Sequence, residues 1–319
     1  MKYFMGIDAG GTKCETVICD EAGHIAGRGI CYGTEITAEE KGSGGMGRSP
    51  EAMFSSFMKA YENIPENAQL YITYNQSLPV LEKFLKDKNI NYRALYAADE
   101  PEAIYNAANI EKGYLALVGT GAFGYYYNCG KRFYFDGLGP NLGDFGSGFY
   151  IGYKAVKAVA ISEWDEKYRT SLAPILNKVI LGKEYNNYGS DLVRYYIDMP
   201  SRNEVAKWTK YVNEEAEKGD RISIEILKEA GRNFGNTMRC LVKNVRPCEE
   251  KLPIICAGGV MTGCRYFREA FIEYCNENIE NEVRMCPLSS VYGNVFKSAK
   301  QAGVEDTDRF YSNLLKNSK

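Results

Sequence analysis

Two short glycine-rich segments are the first places where this sequence could do chemistry. Residues 6–13 read Gly-Ile-Asp-Ala-Gly-Gly-Thr-Lys, and a second segment reads Gly119-Thr120-Gly121. Each lies between two predicted strands, and the exposed backbone N–H groups of such turns can bind anions such as phosphate. The first segment is not a P-loop, because Thr12-Lys13 leads into a strand and not into a helix. A plain tight turn is the alternative for each segment alone, whereas the repeat favours phosphate binding.

Three carboxylates lie at the ends of predicted strands or just before a predicted helix. Asp8 ends the first strand, where it would face the counter-ion of bound phosphates. Asp99 ends the last strand of the first half, and Asp144 precedes a helix. Helix capping is the alternative role of Asp99 and Asp144. Acids on both sides of a cleft also suit phosphorylation of a hydroxyl group, because one can take its proton while another holds the acceptor.

Three further motifs contain glycine. Gly258-Gly259 follows a buried-looking strand at residues 253–256, where a base or ribose could approach the backbone; a strand-to-helix turn is the alternative. Residues 42–47 fit the dinucleotide-binding spacing G-x-G-x-x-G, but they follow a polar run, so we predict a loop. Asp144-Phe145-Gly146 matches the metal-binding tripeptide of protein kinases without its companion motifs, and we interpret this match as chance.

The overall composition excludes several classes of protein. The 319 residues carry 39 basic and 41 acidic side chains and a net charge of −2, which argues against a nucleic-acid binder. No apolar run approaches the roughly 20 residues that cross a bilayer, so no membrane partner is expected. The N-terminus reaches Asp8 too early for a signal peptide. We therefore expect a cytoplasmic protein.

Histidine and cysteine chemistry is also limited. His24 is the single histidine, which excludes a serine–histidine–acid triad and a multi-histidine zinc site. The 10 cysteines include no C-x-x-C pair, although four of them are evenly spaced: Cys240, Cys248, Cys256 and Cys264. Because close ligand spacing is missing, reduced structural thiols are favoured over a metal site.

The elements that must position these residues occur in one pattern twice. Strand signals at 3–8, 14–19 and 24–32 precede alternating helices and strands, and a second such series starts at Gly113. We therefore predict an α/β fold of two similar domains, 1–112 and 113–319, with a helical insertion at about 160–245 in the second. The inserted helices are predicted at 203–218 and 220–242, and they are a candidate dimer face.

The order of these motifs resembles the BadF/BadG/BcrA/BcrD ATPase family, with the N-acetylglucosamine kinase branch closest. The resemblance spans nearly the whole chain. It rests on Ile7-Asp8-Ala9-Gly10-Gly11-Thr12-Lys13, Ala98-Asp99-Glu100, Val118-Gly119-Thr120-Gly121, Gly137-Leu138-Gly139 followed by Leu142-Gly143-Asp144-Phe145-Gly146-Ser147-Gly148, Ala216-Glu217-Lys218-Gly219-Asp220, Cys256-Ala257-Gly258-Gly259-Val260 and Pro287-Leu288-Ser289-Ser290-Val291-Tyr292-Gly293. It implies the actin/hexokinase/Hsp70 fold, in which two ribonuclease-H-like halves close over ATP and Mg²⁺. The implied activity is ATP-dependent phosphorylation of a hydroxyl group on an amino sugar.

The resemblance also implies roles for individual residues. Asp8 would hold Mg²⁺ through water, and Asp99 would be the catalytic base. The implied ATP contacts are Gly10, Gly11, Thr12, Lys13, Gly119, Thr120, Gly121, Ala216, Gly258, Gly259 and Thr262. The implied contacts to the sugar are Asp99, Ala122, Gly137, Leu138, Gly139 and Asp144.

The sugar pocket is where this sequence departs from the family pattern. Ala122-Phe123 replaces Ser-Asn, Leu138 stands where tryptophan is frequent, and Phe145 stands where glutamate is frequent. A glycine-rich strand end is also replaced by Tyr74-Asn75-Gln76. Such changes alter substrate discrimination, so N-acetylmuramate and glucosamine are candidates beside N-acetylglucosamine.

Two other functions belong to different classes. An ATP-driven redox activator of an acyl-CoA dehydratase or reductase occurs in the same family, but its second phosphate loop typically reads D-I-G-G-Q-D. This chain has Val118-Gly119-Thr120-Gly121 instead. A non-catalytic sugar sensor is the other alternative, and the lack of a DNA-binding extension before Met1 argues against a repressor.

Overall fold

The chain forms two compact units, and each is built around one five-stranded sheet. The computed structural model describes residues 1–32, 49–162, 164–181, 201–245 and 251–318. The first unit combines Met1–Glu111 with Cys286–Lys319, and the second is Lys112–Met285. The glycine motif at 42–47 and Cys248 lie outside the described residues.

The sheet of the first unit has the strand order β3-β2-β1-β4-β5. Its strands are β1 (Lys2–Ala9), β2 (Lys13–Cys19), β3 (Ile25–Tyr32), β4 (Gln69–Tyr74) and β5 (Ala94–Ala97). The first three are antiparallel neighbours, and β4 and β5 continue parallel to β1. The helices between the strands are α1 (Pro50–Tyr61), α2 (Leu78–Asp87) and α3 (Glu100–Ala107).

The sheet of the second unit repeats this arrangement as β8-β7-β6-β9-β10. Its strands are β6 (Gly113–Val118), β7 (Ala122–Asn128), β8 (Lys131–Asp136), β9 (Ile254–Ala257) and β10 (Val283–Met285). β6, β7 and β8 are antiparallel, whereas β9 and β10 run parallel to β6. The predicted fold of two similar α/β domains is therefore confirmed.

The predicted helical insertion lies between β8 and β9. The helices of this unit are α4 (Gly148–Ile161), α5 (Leu172–Leu181), α6 (Arg202–Lys207), α7 (Thr209–Glu217), α8 (Arg221–Asn244), α9 (Gly259–Gly263) and α10 (Arg265–Asn278). The single helix predicted at 203–218 is interrupted at Trp208, a buried residue whose N–H bonds to Val205 O in a tighter turn. In the described part of the chain, no helix combines the length and hydropathy that a membrane span requires.

The last two helices belong to a different unit from the one predicted. α11 (Ser290–Gln301) and α12 (Thr307–Asn317) belong to the first unit, although the prediction placed 113–319 in the second. Ser298 Oγ donates to Met5 O on β1 (2.9 Å) and lies 2.7 Å from Thr73 Oγ1 on β4. Val295 and Phe310 share a buried cluster with Phe4 of β1. The chain therefore returns to cover the first sheet, a long-range contact that local sequence patterns do not report.

Candidate functional site

The first glycine loop closes the β1–β2 hairpin. Ala9 and Cys14 are the last paired residues, and Gly10 N donates to Lys13 O at 2.9 Å across the turn. Thr12 is exposed at the tip. The predicted phosphate loop is therefore a tight turn at the carboxyl end of β1.

Asp8 is held beside this loop by two residues distant in sequence. Asn75 Nδ2 donates to Asp8 Oδ1 (2.6 Å), while Asn75 Oδ1 accepts from Ala9 N (2.8 Å). Ser290 Oγ, at the start of α11, donates to the other oxygen of Asp8. Sequence reasoning missed Asn75 and Ser290 as site residues. The available signal was the position of Asn75 directly after β4, which is paired with β1.

Lys13 is oriented by a buried acid. Its Nζ lies 2.6 Å from Glu15 Oε2, and Glu15 is only 3% exposed. Arg28 donates to Glu15 Oε1 through Nε (2.9 Å) and Nη2 (2.7 Å), and this hydrogen bonding raises the pKa of Arg28. Glu15 therefore ties a cation of the loop to the third strand of the sheet.

The second glycine loop closes the β6–β7 hairpin and rests on the start of α4. Gly119 N donates to Gly121 O (2.8 Å), and the first helical N–H, from Gly148, donates to Gly119 O (2.8 Å). Phe149 N donates to Thr120 O at 3.2 Å. The N–H groups of Thr120 and Gly121 make no hydrogen bond to any residue that the structure describes. Two donors of this loop are therefore available to an anion.

Gly258-Gly259 lies next to this second loop. β6 and β9 are parallel, with Leu117 opposite Ala257, so their carboxyl ends meet. Gly258 has a φ of +100°, and a Cβ there would overlap the carbonyl oxygen of Val118. Thr262 Oγ1 donates to Gly258 O (3.0 Å). The second and third glycine motifs thus lie side by side, and Gly258 is a position that only glycine fits.

Asp144 is buried within the loop between β8 and α4. Asp136 accepts from Asp144 N (2.7 Å) and Phe145 N (3.2 Å), which fixes the loop. The Asp144 carboxylate accepts from Ala122 N, Gly139 N and the Arg202 guanidinium. Burial raises the pKa of Asp144, and the guanidinium and the two N–H groups act in the opposite direction. Arg202 was not predicted as a site residue.

The other predicted sugar contacts differ in their exposure to solvent. Leu138 is 66% exposed, and Gly137 and Gly139 flank it in the loop. The side chain of Ala122 is buried, so its contribution here is the N–H that Asp144 accepts.

Asp99 lies just beyond the carboxyl end of β5 and caps α3. Its Oδ1 accepts from Glu102 N at 2.8 Å, the capping contact that was the alternative interpretation of this residue. The side chain is half-buried. Capping therefore fixes the Asp99 side chain at this end of the sheet.

Sequence comparison assigns the chain to a family. The sequence profile of the BadF/BadG/BcrA/BcrD ATPase family matches residues 5–295. The chain belongs to this family.

Relatives of this family member carry sugar-kinase names. The N-acetylmuramic acid/N-acetylglucosamine kinase of Clostridium acetobutylicum is 26% identical over 286 residues, covering 87% of this chain and 92% of the relative. The N-acetyl-D-glucosamine kinase of Dictyostelium discoideum is 26% identical over 288 residues, covering 81% and 85%. A solved structure from Chromobacterium violaceum superposes with a TM-score of 0.66 at 16% identity, covering 93% of this chain and 99% of the other, and shares the fold.

The Ala216-Glu217-Lys218-Gly219-Asp220 motif of this family member forms a turn between two helices. Ala216, a predicted ATP contact, is fully buried in the core of the second unit and presents no side-chain surface to a ligand. Asp220 caps α8 through Ser223 N (2.8 Å) and also accepts from Thr170 Oγ1 (2.9 Å). The motif therefore joins α7, α8 and the segment before α5.

Proposed function

We propose that this chain is an ATP-dependent kinase that phosphorylates a hydroxyl group of an amino sugar. The main support for this proposal is the pair of equivalent glycine hairpins at the carboxyl ends of β1 and β6. One lies beside Asp8 and the other beside Gly258. The names of the relatives support an amino sugar as acceptor. N-acetylglucosamine, N-acetylmuramate and glucosamine are the candidates.

Each glycine loop would bind phosphate oxygens through its backbone N–H groups. Such nests suit the phosphates, and the neighbouring Gly258-Gly259 turn suits the adenosine. Lys13, held by Glu15, adds a positive charge at the first loop. Thr262 contributes through the turn that it stabilises.

Asp8 fits a magnesium ion that arrives with ATP. Mg²⁺ usually keeps several waters and binds through one or two carboxylates together with substrate phosphates. The oxygens of Asp8 are fixed by Asn75 and Ser290, both of which hydrogen-bond them without adding a positive charge. The ion would neutralise charge on the phosphates, and the role of Asp8 is to orient its water ligands.

Asp99 would orient the acceptor hydroxyl and take its proton. Its helix-capping contact fixes the side chain at the carboxyl end of β5, as general-base catalysis requires. The loop around Gly137, Leu138 and Gly139 would contact the sugar, because its backbone and the Leu138 side chain are accessible.

A kinase assay with the purified full chain tests this function. ADP release is followed with ATP and Mg²⁺ against a panel of hexosamines and their N-acyl derivatives, including N-acetylmuramate. We expect turnover with one amino sugar and slow ATP hydrolysis without sugar. Rapid sugar-independent hydrolysis with visible absorption would instead indicate the redox activator, and sugar binding without turnover would indicate the sensor.

Two further expectations accompany the kinase function. The sugar is the small-molecule partner, and the inserted helices α7 and α8 form a homodimer face. Light scattering with size-exclusion chromatography measures the mass of the particle. A mass near the 35.8 kDa of one chain would exclude the dimer. A cytoplasmic location is likewise retained as a proposal, testable by cell fractionation.

A further inference from the structure

A buried acid and a half-exposed arginine form a pair beside the second glycine loop. Asp144 is 1% exposed and accepts a hydrogen bond from Arg202 Nη2, whereas the Arg202 side chain remains 42% exposed. Among the described residues, the Arg202 side chain donates a hydrogen bond to Asp144 alone. The guanidinium has five N–H donors in a planar fork, so most of them remain available to a ligand.

The position of this guanidinium is specific. It occupies the space where a Cβ on Gly121 would lie, and Asp144 Oδ2 is 3.1 Å from the same point. A Cβ on Gly119, at the other end of the loop, would meet no atom within 4 Å. The positive charge therefore lies directly against a turn whose Thr120 and Gly121 N–H groups make no hydrogen bond in the described part of the chain.

We propose that Arg202 contacts the terminal phosphate of the nucleotide at the second glycine loop, and that Asp144 is the positioning residue that holds Arg202 there. This inference rests on the proposed kinase function and changes the predicted role of Asp144, which was a sugar contact. A guanidinium and convergent N–H groups together form a site for phosphate oxygens.

The burial of Asp144 explains the arrangement. Its carboxylate already accepts from two backbone N–H groups and from Arg202, which uses much of its acceptor capacity. An arginine fixed before the substrate binds needs no reorganisation as charge develops on the transferred phosphoryl group. Arg202 stands at the start of α6 in the insertion and is therefore not part of the repeated sheet.

Nucleotide binding measures the contact independently of catalysis. Titration calorimetry compares a non-hydrolysable ATP analogue with ADP for the wild-type chain, Arg202→Gln and Arg202→Lys. We expect Arg202→Gln to lose about tenfold or more of the preference for the triphosphate, since charge-assisted hydrogen bonds are strong. Arg202→Lys should retain part of it because the charge is kept without the fork. An unchanged preference in folded Arg202→Gln would overturn the inference.

Steady-state kinetics separate the roles of Arg202 and Asp144. We expect Arg202→Gln to lower kcat by about 10²–10³-fold with little change in the KM for sugar. Asp144→Asn as a single substitution should lower kcat. In the Arg202→Gln background it should lower kcat by less than about a further twofold, because Asp144 acts through Arg202. If Asp144→Asn instead raises the KM for sugar equally in both backgrounds, Asp144 is a sugar contact and the positioning role is wrong.

Arg169→Gln is the matched control. Arg169 forms an exposed ion pair with Glu166 in the same unit, and its loss should alter neither nucleotide preference nor kcat. Thermal unfolding of each variant verifies the fold. A wild-type chain that phosphorylates no sugar, while Arg202→Gln still loses the triphosphate preference, would refute the kinase function and retain the phosphate contact.

Discussion

The two glycine loops use the same hairpin in different electrostatic surroundings. At the first loop, the cross-strand pair that follows the closing pair is Asp8 and Glu15. At the second loop, the corresponding pair is Leu117 and Phe123. At the first loop, the charges thus come from the hairpin itself. At the second, Asp144 and Arg202 arrive from a later loop and from the insertion.

This difference shows that a repeated sheet can carry unlike side chains beside equivalent loops. The backbone N–H nest is a property of the turn, so the repeat can provide it twice. A carboxylate that suits a metal ion and an arginine that suits a phosphate are side-chain properties. In the functions proposed above, Asp8 supplies the first beside one loop and Arg202 the second beside the other. The predictions below test this division, beginning with the largest expected effect.

Asp99→Asn should nearly abolish phosphoryl transfer. Loss of a general base typically costs ~10²–10⁴-fold in rate. Asparagine still caps a helix, so α3 and nucleotide binding should remain intact. The measurement is kcat/KM on the best sugar, with calorimetric binding of the ATP analogue.

Asp306→Asn is the control for this change, because Asp306 caps α12 in the same unit through Arg309 N (2.9 Å). It should retain wild-type activity. More than a tenth of wild-type kcat/KM in Asp99→Asn would show that Asp99 is only a capping residue.

Asp8→Asn should raise the Mg²⁺ concentration that gives half-maximal activity by about tenfold, since an anchoring carboxylate is lost. Asn75→Ala should change the Mg²⁺ requirement in the same direction with a smaller effect, because it removes one of the hydrogen bonds that orient Asp8. Activity is measured across a Mg²⁺ titration at saturating sugar. If the dependence of activity on Mg²⁺ is unchanged in both variants, Asp8 does not hold the magnesium ion.

Glu15→Gln should lower the free energy of unfolding by about 1–3 kcal/mol, because the buried negative charge that pairs with Lys13 and Arg28 is lost and an NH2 donor replaces one acceptor oxygen. Lys13 would also lose its fixed orientation, and we expect a higher KM for ATP. Denaturant unfolding and ATP kinetics measure the two effects. Glu166→Gln, which breaks an exposed pair with Arg169, is the matched control and should change stability by less than about 0.5 kcal/mol.

Asp220→Ala should have the smallest effect and act only on the second unit. Burial alone would raise the pKa of Asp220, but hydrogen bonds from Ser223, Ser171 and Thr170 outweigh it and hold the pKa below the ordinary 3.8. Its contribution, about 1–2 kcal/mol for a helix cap, is therefore complete above that ordinary pKa and is lost as the pH falls through the lowered one.

Denaturant unfolding at pH 7 and near pH 3 measures this dependence. The difference between wild type and Asp220→Ala should shrink at the lower pH. A difference that grows on acidification would contradict the direction of the shift. Asp165→Ala removes the cap of an exposed single turn and serves as the control.

Local patterns determined most of the secondary structure. The hairpins at both glycine loops, the Ser49 cap of α1 and the Asp220 cap of α8 all follow from residues close together in the chain. Such features depend on neighbouring hydrogen-bonding groups, side-chain alternation and glycine turns, which a sequence displays directly. The repeated α/β halves and the family followed from them.

Tertiary structure alone decided which distant residues meet. Asp8 acquires Asn75 and Ser290, α11 covers the first sheet, and Arg202 reaches Asp144 across the insertion. The same packing buries Ala216, which its motif had placed at the nucleotide. These contacts depend on how whole elements pack, and packing is governed by shape and buried area over the entire unit. No local spacing records that information, so only the folded chain shows it.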